Sequence, residues 1–485
     1  MTVDNKQKQT GLLSSFIEYF YGNFVVLLLG FVSLPLITRV LPTDEYGRTS
    51  MFTSAVSIIY IFAILGLDQS YIRFYFKEGV DKKTLILQCL KYPVILILVL
   101  SAVYAFFSGL FNTFLFGESS PDITLLVIAY TVTSVFERFL FLNIRMEQNG
   151  KLYSNLNILS KVLYIAFIFL FVYLIGRDFK VVLYALTLPL VIVTAGLFIR
   201  YFFVRHREKH TAHDLTEREL LLYGIPFVPI LLMEWLLSSM DKWSIKIFNG
   251  FSETGVYSSA MQIMTILLTV KITYVAFWSP IAMKKYENES EESCKAFFKD
   301  TFDKVQFLCM SAAFLLTLFR SLIVLILGED YREAVRVIPY LSLMPVLSIL
   351  FEMTGQGVKF TGRLKYFNYA SAAAIICNLI GNTLLVPRLC GTGAALATAV
   401  TYIVYFFIGT YYSKKCYPVD YRLKGLIMSL ILYTVFASYA TFFQNAPVFV
   451  LLGAGTFIIH LIINRDIMKD LIISLKGIIK QFKER

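Results

Sequence analysis

The sequence predicts an all-α polytopic membrane protein of about 14 transmembrane helices in two lobes around a central cavity. Three observations predict it. Of 485 residues, 57% are hydrophobic and 16% charged, against about 25% charged in a soluble domain. The apolar residues come in runs of about 20, each enough to cross a bilayer core as a helix. Finally, 31 of the 45 Lys and Arg fall in alternate joints on the side of the N-terminus, nine in the intervening joints and five within spans. That asymmetry places both termini in the cytoplasm and requires an even number of spans.

The runs lie near 14–38, 49–66, 88–110, 122–142, 154–175, 181–203, 220–240, 256–282, 305–328, 337–357, 367–386, 393–412, 424–443 and 446–463. The first ten residues are polar and the run after them is too long for a signal-peptide core, so no cleavable signal is expected. The longest internal polar joint, Arg200–Glu219, separates six spans from eight. Four segments follow: 1–210 as an N-terminal lobe, 211–415 as a C-terminal lobe, 416–465 as two further spans, and 466–485 as a cytoplasmic amphipathic helix. A short internal echo supports the two lobes: Glu45-Tyr46-Gly47 follows span one and Glu253-Thr254-Gly255 follows span seven. Transporters often repeat their halves in this way. In the tail, Ile467, Leu471, Leu475, Ile478 and Phe482 form one stripe with the lysines largely off it, as suits the inner leaflet.

The formal charge of +12 points to a membrane surface rather than nucleic acid, because the basic residues lie between apolar spans. Six scattered cysteines contain no C-x-x-C, so neither a disulfide framework nor a zinc site is indicated. Gly250 and Gly255 have phosphate-loop spacing, but Val256 stands where that motif needs lysine. His206, His210 and His213 cluster in the cytoplasmic joint without a catalytic partner motif, and read as a solvated linker. No nucleotide-binding or hydrolytic motif is present, so neither an ATP-driven pump nor an enzyme is indicated.

The informative residues are charges inside spans, where a lipid-facing position costs about 3 kcal/mol or more. Glu18, Glu137, Arg138, Lys161, Glu234, Lys271, Arg320 and Glu352 are such residues. Each is a contact for substrate or ion, a member of an internal ion pair, or an interfacial residue; snorkelling weighs most for Lys161 and Glu352, near span ends. Glu234 and Asp241, seven apart, share a helix face, as do Lys271, Tyr274 and Trp278. A cation beside two aromatic rings suits an anionic, sugar-bearing ligand. Arg39, Lys242 and Lys246 lie toward the outer end, the last two in a polar joint over Asp241–Gly255, where they either receive a phosphate or are simply solvated. Asp68 and Arg73, at the inner end of span two, brace a gate or cap a helix. Pro226 and Pro229 flank one turn of span seven and bend it, as a hinge or a static kink.

Several pieces in fixed order carry a resemblance: ITRVLPTDEYG, LGLDQSYIRFYFKE, a central block with its FVP run, DKW, NGFSETGVYS and closing WSP, then LILGEDYREAVRVIPYL and VPRLCGTGAALATAV. Over roughly residues 10–440 the chain resembles Wzx-type lipid-linked oligosaccharide flippases of the MOP superfamily. The resemblance puts Arg39, Asp68, Arg73, Asp241, Lys242, Gly255, Tyr257 and Pro280 at family-like positions. It implies two lobes around a cationic cavity, and movement of polyprenyl-pyrophosphate-linked oligosaccharide units from inner to outer leaflet by alternating access. It also implies a bacterial cytoplasmic membrane, no cofactor, and coupling to H+ or Na+ with Glu18, Glu234 or Asp241 as candidate carriers. A polysaccharide polymerase and a chain-length regulator are candidate partners. The competing readings are a MATE-like multidrug or cation antiporter, whose cavity should be acidic, and a membrane-embedded glycan polymerase or ligase, which needs a large outer loop that no joint here supplies.

Overall fold

Several helices of this chain start where a side chain takes up one of the first unpaired backbone N–H groups. The computed structural model describes residues 3–203, 215–443 and 445–473, with side chains from Tyr21 onward except at 23, 202, 203, 273, 276 and 277. The Glu18 side chain, the three joint histidines and the tail stripe beyond residue 473 lie outside the described residues. Among the described residues every regular element is helical.

The chain divides into two compact units, Met1–Ser239 and Met240–Arg485. The first opens with α1 (Val3–Val40), α2 (Thr43–Ile64), α3 (Leu67–Phe74), α4 (Lys82–Phe106) and α5 (Ser108–Phe116). It continues with α6 (Pro121–Met146), α7 (Gly150–Ile175), α8 (Lys180–Phe203) and α9 (Glu217–Gly224). The division falls inside α10 (Phe227–Asn249). Asp81 caps α4 by accepting from Thr84 N at 2.8 Å, Asn149 caps α7, and Thr216 with Glu219 forms a reciprocal capping box on α9. α1 packs on α7, and α8 on both α6 and α7. Gly22 permits the first contact, since a Cβ there would lie 2.2 Å from Ser154 Oγ; small residues allow membrane helices this approach.

The second unit holds α11 (Phe251–Asn288), α12 (Glu291–Leu318), α13 (Arg320–Val324), a 3-10 turn (Glu329–Arg336), α14 (Ile338–Leu341), α15 (Leu343–Thr354) and α16 (Gln356–Phe360). α17 (Lys365–Cys416), α18 (Leu423–Phe442) and α19 (Ala446–Ile463) complete it. The Phe351 ring of α15 lies over Gly409 of α17, where a Cβ would meet it at 2.2 Å. His460 of α19 is fully buried against Phe307 and Phe314 of α12 and meets Ser429 of α18 at 2.9 Å.

Eleven helices among the described residues are long and apolar enough to cross a membrane. α17 carries two predicted runs, joined where Cys390 takes φ 52° and ψ −137°. The turn and helix from Glu329 to Thr354, bent by 59°, supply another, and α1 carries the first. Each of the fourteen predicted runs thus falls on helix. Their outward faces are apolar: Leu87, Leu98 and Val99 of α4, and Phe169, Tyr173 and Leu174 of α7, are exposed, as a lipid-facing surface requires.

One expectation fails. Asp241–Gly255 is not a polar joint. α10 runs on through Asn249, and the chain turns only at Gly250, with φ 89° and ψ −172°. The helix continues because Asp241, its most costly residue for burial, finds partners elsewhere in the second unit.

Candidate functional site

Each unit builds its own polar site among apolar helices. In the first, α2 ends on two left-handed residues, Leu65 and Gly66. The chain turns there, and Asp68 falls in the first turn of α3, where a carboxylate is favoured by the helix dipole. Asp68 is buried. Its Oδ2 accepts from Arg138 Nε at 3.1 Å, Arg138 Nη2 at 2.7 Å and Gln69 Nε2 at 3.0 Å. A guanidinium has five N–H donors, and the Arg138 side chain keeps 39% exposure. It lines a cleft of about 330 Å³ with Tyr60, Tyr130, Tyr153, Ser57, Ser134, Asn157 and Glu137. Small-ligand pockets start at about this size.

In the second unit, Asp241 is 1% exposed and holds four donors. Oδ1 accepts from Asn378 Nδ2 at 3.0 Å and Asn382 Nδ2 at 2.7 Å; Oδ2 accepts from the Tyr257 hydroxyl at 2.5 Å and from Thr398 Oγ1. A carboxylate offers about four acceptor positions, so it is satisfied without any cation. Asn382 Oδ1 in the same cluster is buried with no partner among the described residues.

Further along α11, Lys271 Nζ lies 3.2 Å from Glu352 Oε1, and Lys359 Nζ lies 2.9 Å from Oε2 of the same carboxylate. One carboxylate therefore bridges lysines from α11 and α16. Tyr274 and Trp278 follow Lys271 on its face, stacked with ring centroids 6.0 Å apart.

The expected site residues thus separate. Arg138 has the neighbouring-span carboxylate that an internal ion pair asks for, and Asp68 supplies it. Arg73, read with Asp68 as a gate brace or a helix cap, is exposed at the end of α3. Lys161 sits over the Tyr164 ring at 4.4 Å. Glu234 and Asp241 share α10, yet Glu234 is exposed and Asp241 buried, so their common face does not make them one site. Lys242 is half-buried within α10, and Lys246 lies 5.8 Å from the Phe251 ring centre; both are helical, not loop, cations. Arg39 is exposed in the last turn of α1, where a cation complements the helix dipole. Pro226 falls in the break between α9 and α10, and Pro229 in the first turn of α10. Gly255 is buried in the second turn of α11.

Sequence reasoning missed the cleft tyrosines, Lys359 as a partner of Glu352, and Asn378, Asn382 and Thr398 around Asp241. A polar residue every fourth position, Asn378 and Asn382 within an apolar run, was the available signal for the last group.

Over 438 residues the chain is 21% identical to the probable low-salt glycan biosynthesis flippase Agl15 of Haloferax volcanii, covering 89% of this chain and 90% of that protein. The fold is similar to that of lipid II flippase MurJ in an inward closed conformation, with a TM-score of 0.66, 14% identity, and coverage of 94% of this chain and 100% of the other. It is also similar to an inward-facing multidrug resistance MATE family transporter of the MOP superfamily, with a TM-score of 0.59, 16% identity, and coverage of 83% and 99%. The family model described as polysaccharide biosynthesis protein matches residues 12–285, more than half of the sequence. This chain is a multi-pass membrane protein that belongs to the polysaccharide biosynthesis protein family, as its sequence resemblance to Wzx-type flippases implies.

Proposed function

We propose that the protein is a flippase that moves polyprenyl-pyrophosphate-linked oligosaccharide units from the inner to the outer leaflet of a bacterial cytoplasmic membrane, by alternating access of its lobes and with both termini in the cytoplasm. The observation that carries this reading is the lining of the first unit's cleft. Three tyrosines, two serines and an asparagine surround one anchored guanidinium. Neutral hydroxyl and amide groups replace the water that sugar hydroxyls lose, aromatic faces stack on pyranose rings, and the guanidinium suits a phosphate. A relative named as a glycan biosynthesis flippase supports the same substrate class. No bond is made or broken in this scheme, so the protein acts as a transporter and not as an enzyme.

Coupling to H+ or Na+ is expected, and Asp241 is its candidate carrier in the second unit, where the ion would displace one of the four donors on the carboxylate. Its carboxylate lies among oxygen-bearing side chains, one of them, Asn382 Oδ1, lacking a donor. Glu18 and Glu234 remain the other candidate carriers. A polymerase and a chain-length regulator are the expected partners for the delivered units.

Glu137 lines the same cleft as Arg138 and favours a second reading, a MATE-like cation antiporter. Deletion of the gene separates the two. The flippase reading expects loss of surface glycan with accumulation of the lipid-linked precursor on the inner leaflet, restored by the intact chain. Unchanged glycan together with lost efflux of a fluorescent lipophilic cation would instead establish the antiporter.

A further inference from the structure

We infer that Lys271 and Lys359 form a receptor for the diphosphate of the substrate, and that Glu352 occupies this receptor while no substrate is bound. The inference rests on the flippase reading and assigns the loading step within it.

The two ammonium groups approach one carboxylate from different helices, each on its own oxygen, at 3.2 and 2.9 Å. Two oxygens of a phosphate can replace two oxygens of a carboxylate between the same lysines, and lysine is a common phosphate binder as a point charge. The charges do not balance with Glu352 in place: two cations face one anion. A diphosphate brings at least two negative charges and completes the neutralisation that an apolar environment demands. The lysine and glutamate side chains keep 28%, 32% and 20% exposure, so none of the three is fully enclosed by protein.

An independent observation marks the same place. Tyr274 and Trp278 lie three and seven residues after Lys271, on its face of α11. The Tyr274 hydroxyl and Trp278 Nε1 are both buried without a hydrogen-bond partner among the described residues, and Trp278 is 2% exposed. Buried donors normally find an acceptor. Here two of them on the Lys271 face of α11 lack one, and the Tyr274 hydroxyl, one turn from Lys271, is the donor that a diphosphate oxygen would satisfy. Glu352 is then a stand-in that holds the lysines apart from lipid and from each other, and that must yield when the headgroup arrives.

The test uses the full chain in nanodiscs, titrated with inorganic pyrophosphate and, separately, with polyprenyl pyrophosphate. If Glu352 blocks the receptor nine-tenths of the time, Glu352→Gln tightens apparent affinity about tenfold. Adding Lys359→Gln to that variant restores the original net charge and should abolish the gain. Equal or weaker affinity in Glu352→Gln overturns the proposal, since a static bridge would lose its lysine geometry on removal of the carboxylate. A gain confined to inorganic pyrophosphate overturns the lipid headgroup as the ligand. Neither result bears on the flippase reading, which stands or falls with surface glycan in the deletion strain.

Discussion

Arg138 places two nitrogens on a single oxygen of Asp68, at 3.1 and 2.7 Å, and leaves the other oxygen, Oδ1, buried with no partner among the described residues. The pair is therefore uneven. Asp68 depends on Arg138 for its compensation, while Arg138 keeps donors and exposure to spare at the cleft. Removing a partner from a buried pair costs more than the pair itself contributes, because an uncompensated charge remains.

Arg138→Ala should accordingly destabilise the protein by about 3 kcal/mol, the low end for a buried pair because Arg138 is partly exposed. Asp68→Asn should cost less, since it removes the buried charge instead of stranding it. Melting temperatures of the purified variants check the order. If Asp68→Asn melts lower than Arg138→Ala, the carboxylate is not the dependent partner.

A second prediction concerns the crossing of α2–α3 with α9 and the start of α10. Gly66 has φ +66°, and a Cβ there would lie 2.2 Å from the Gly224 carbonyl oxygen; at Gly224 it would lie 2.9 Å from Gly66 O. Backbone oxygens cannot rotate away. Gly66→Ala adds a left-handed penalty of about 1–2 kcal/mol to that clash, so it should lower the yield of folded protein more than Gly224→Ala does. Fluorescence-detected size exclusion of the two variants reads the difference, and equal, wild-type-like profiles would refute it.

The fold was legible because span length is a local property. An apolar run of about 20 residues has few alternatives to a membrane helix, and each such run fell on helix. The bend at Pro226 was legible for the same reason, since proline acts on its own turn. The site was less so. Asp241, Lys242 and Lys246 crowd into six residues of α10 and read as a joint, because the residues that make Asp241 tolerable inside a helix bundle stand far along the chain: Asn378, Asn382 and Thr398, up to 157 positions away. Glu352 read as a residue near the interface, for want of any local sign that it bridges Lys271 and Lys359. Charge type shows in a sequence; charge pairing across helices does not.

The Asp241 cluster yields the third prediction. Asparagine matches aspartate in shape, so Asp241→Asn keeps the packing of α10 but presents an amide where Tyr257 and Thr398 now donate to Oδ2. Glycan export should fall about tenfold or more and lose its response to a Na+ or pH gradient, with insertion unchanged. Asp241→Ala leaves four donors buried without an acceptor, at about 1–3 kcal/mol each, and should fail to accumulate. Full, gradient-dependent export by Asp241→Asn would remove this residue from coupling.

The fourth prediction separates binding from structure at Lys271. Glu352 has two cations, so losing one does not strand it: in Lys271→Ala the carboxylate keeps Lys359 at 2.9 Å. The variant should therefore insert and melt near wild type, unlike Arg138→Ala, whose carboxylate partner has no second cation among the described ion pairs. Surface glycan should nevertheless be lost, because Lys271 is the cation beside Tyr274 and Trp278 where the substrate's negative charge is expected. Lys271→Arg, which retains the charge but carries a planar fork in place of a compact ammonium, should recover export only in part. Normal surface glycan in Lys271→Ala, in a strain whose export depends on this protein, would take Lys271 out of the transport path and leave its pairing with Glu352 as structure alone.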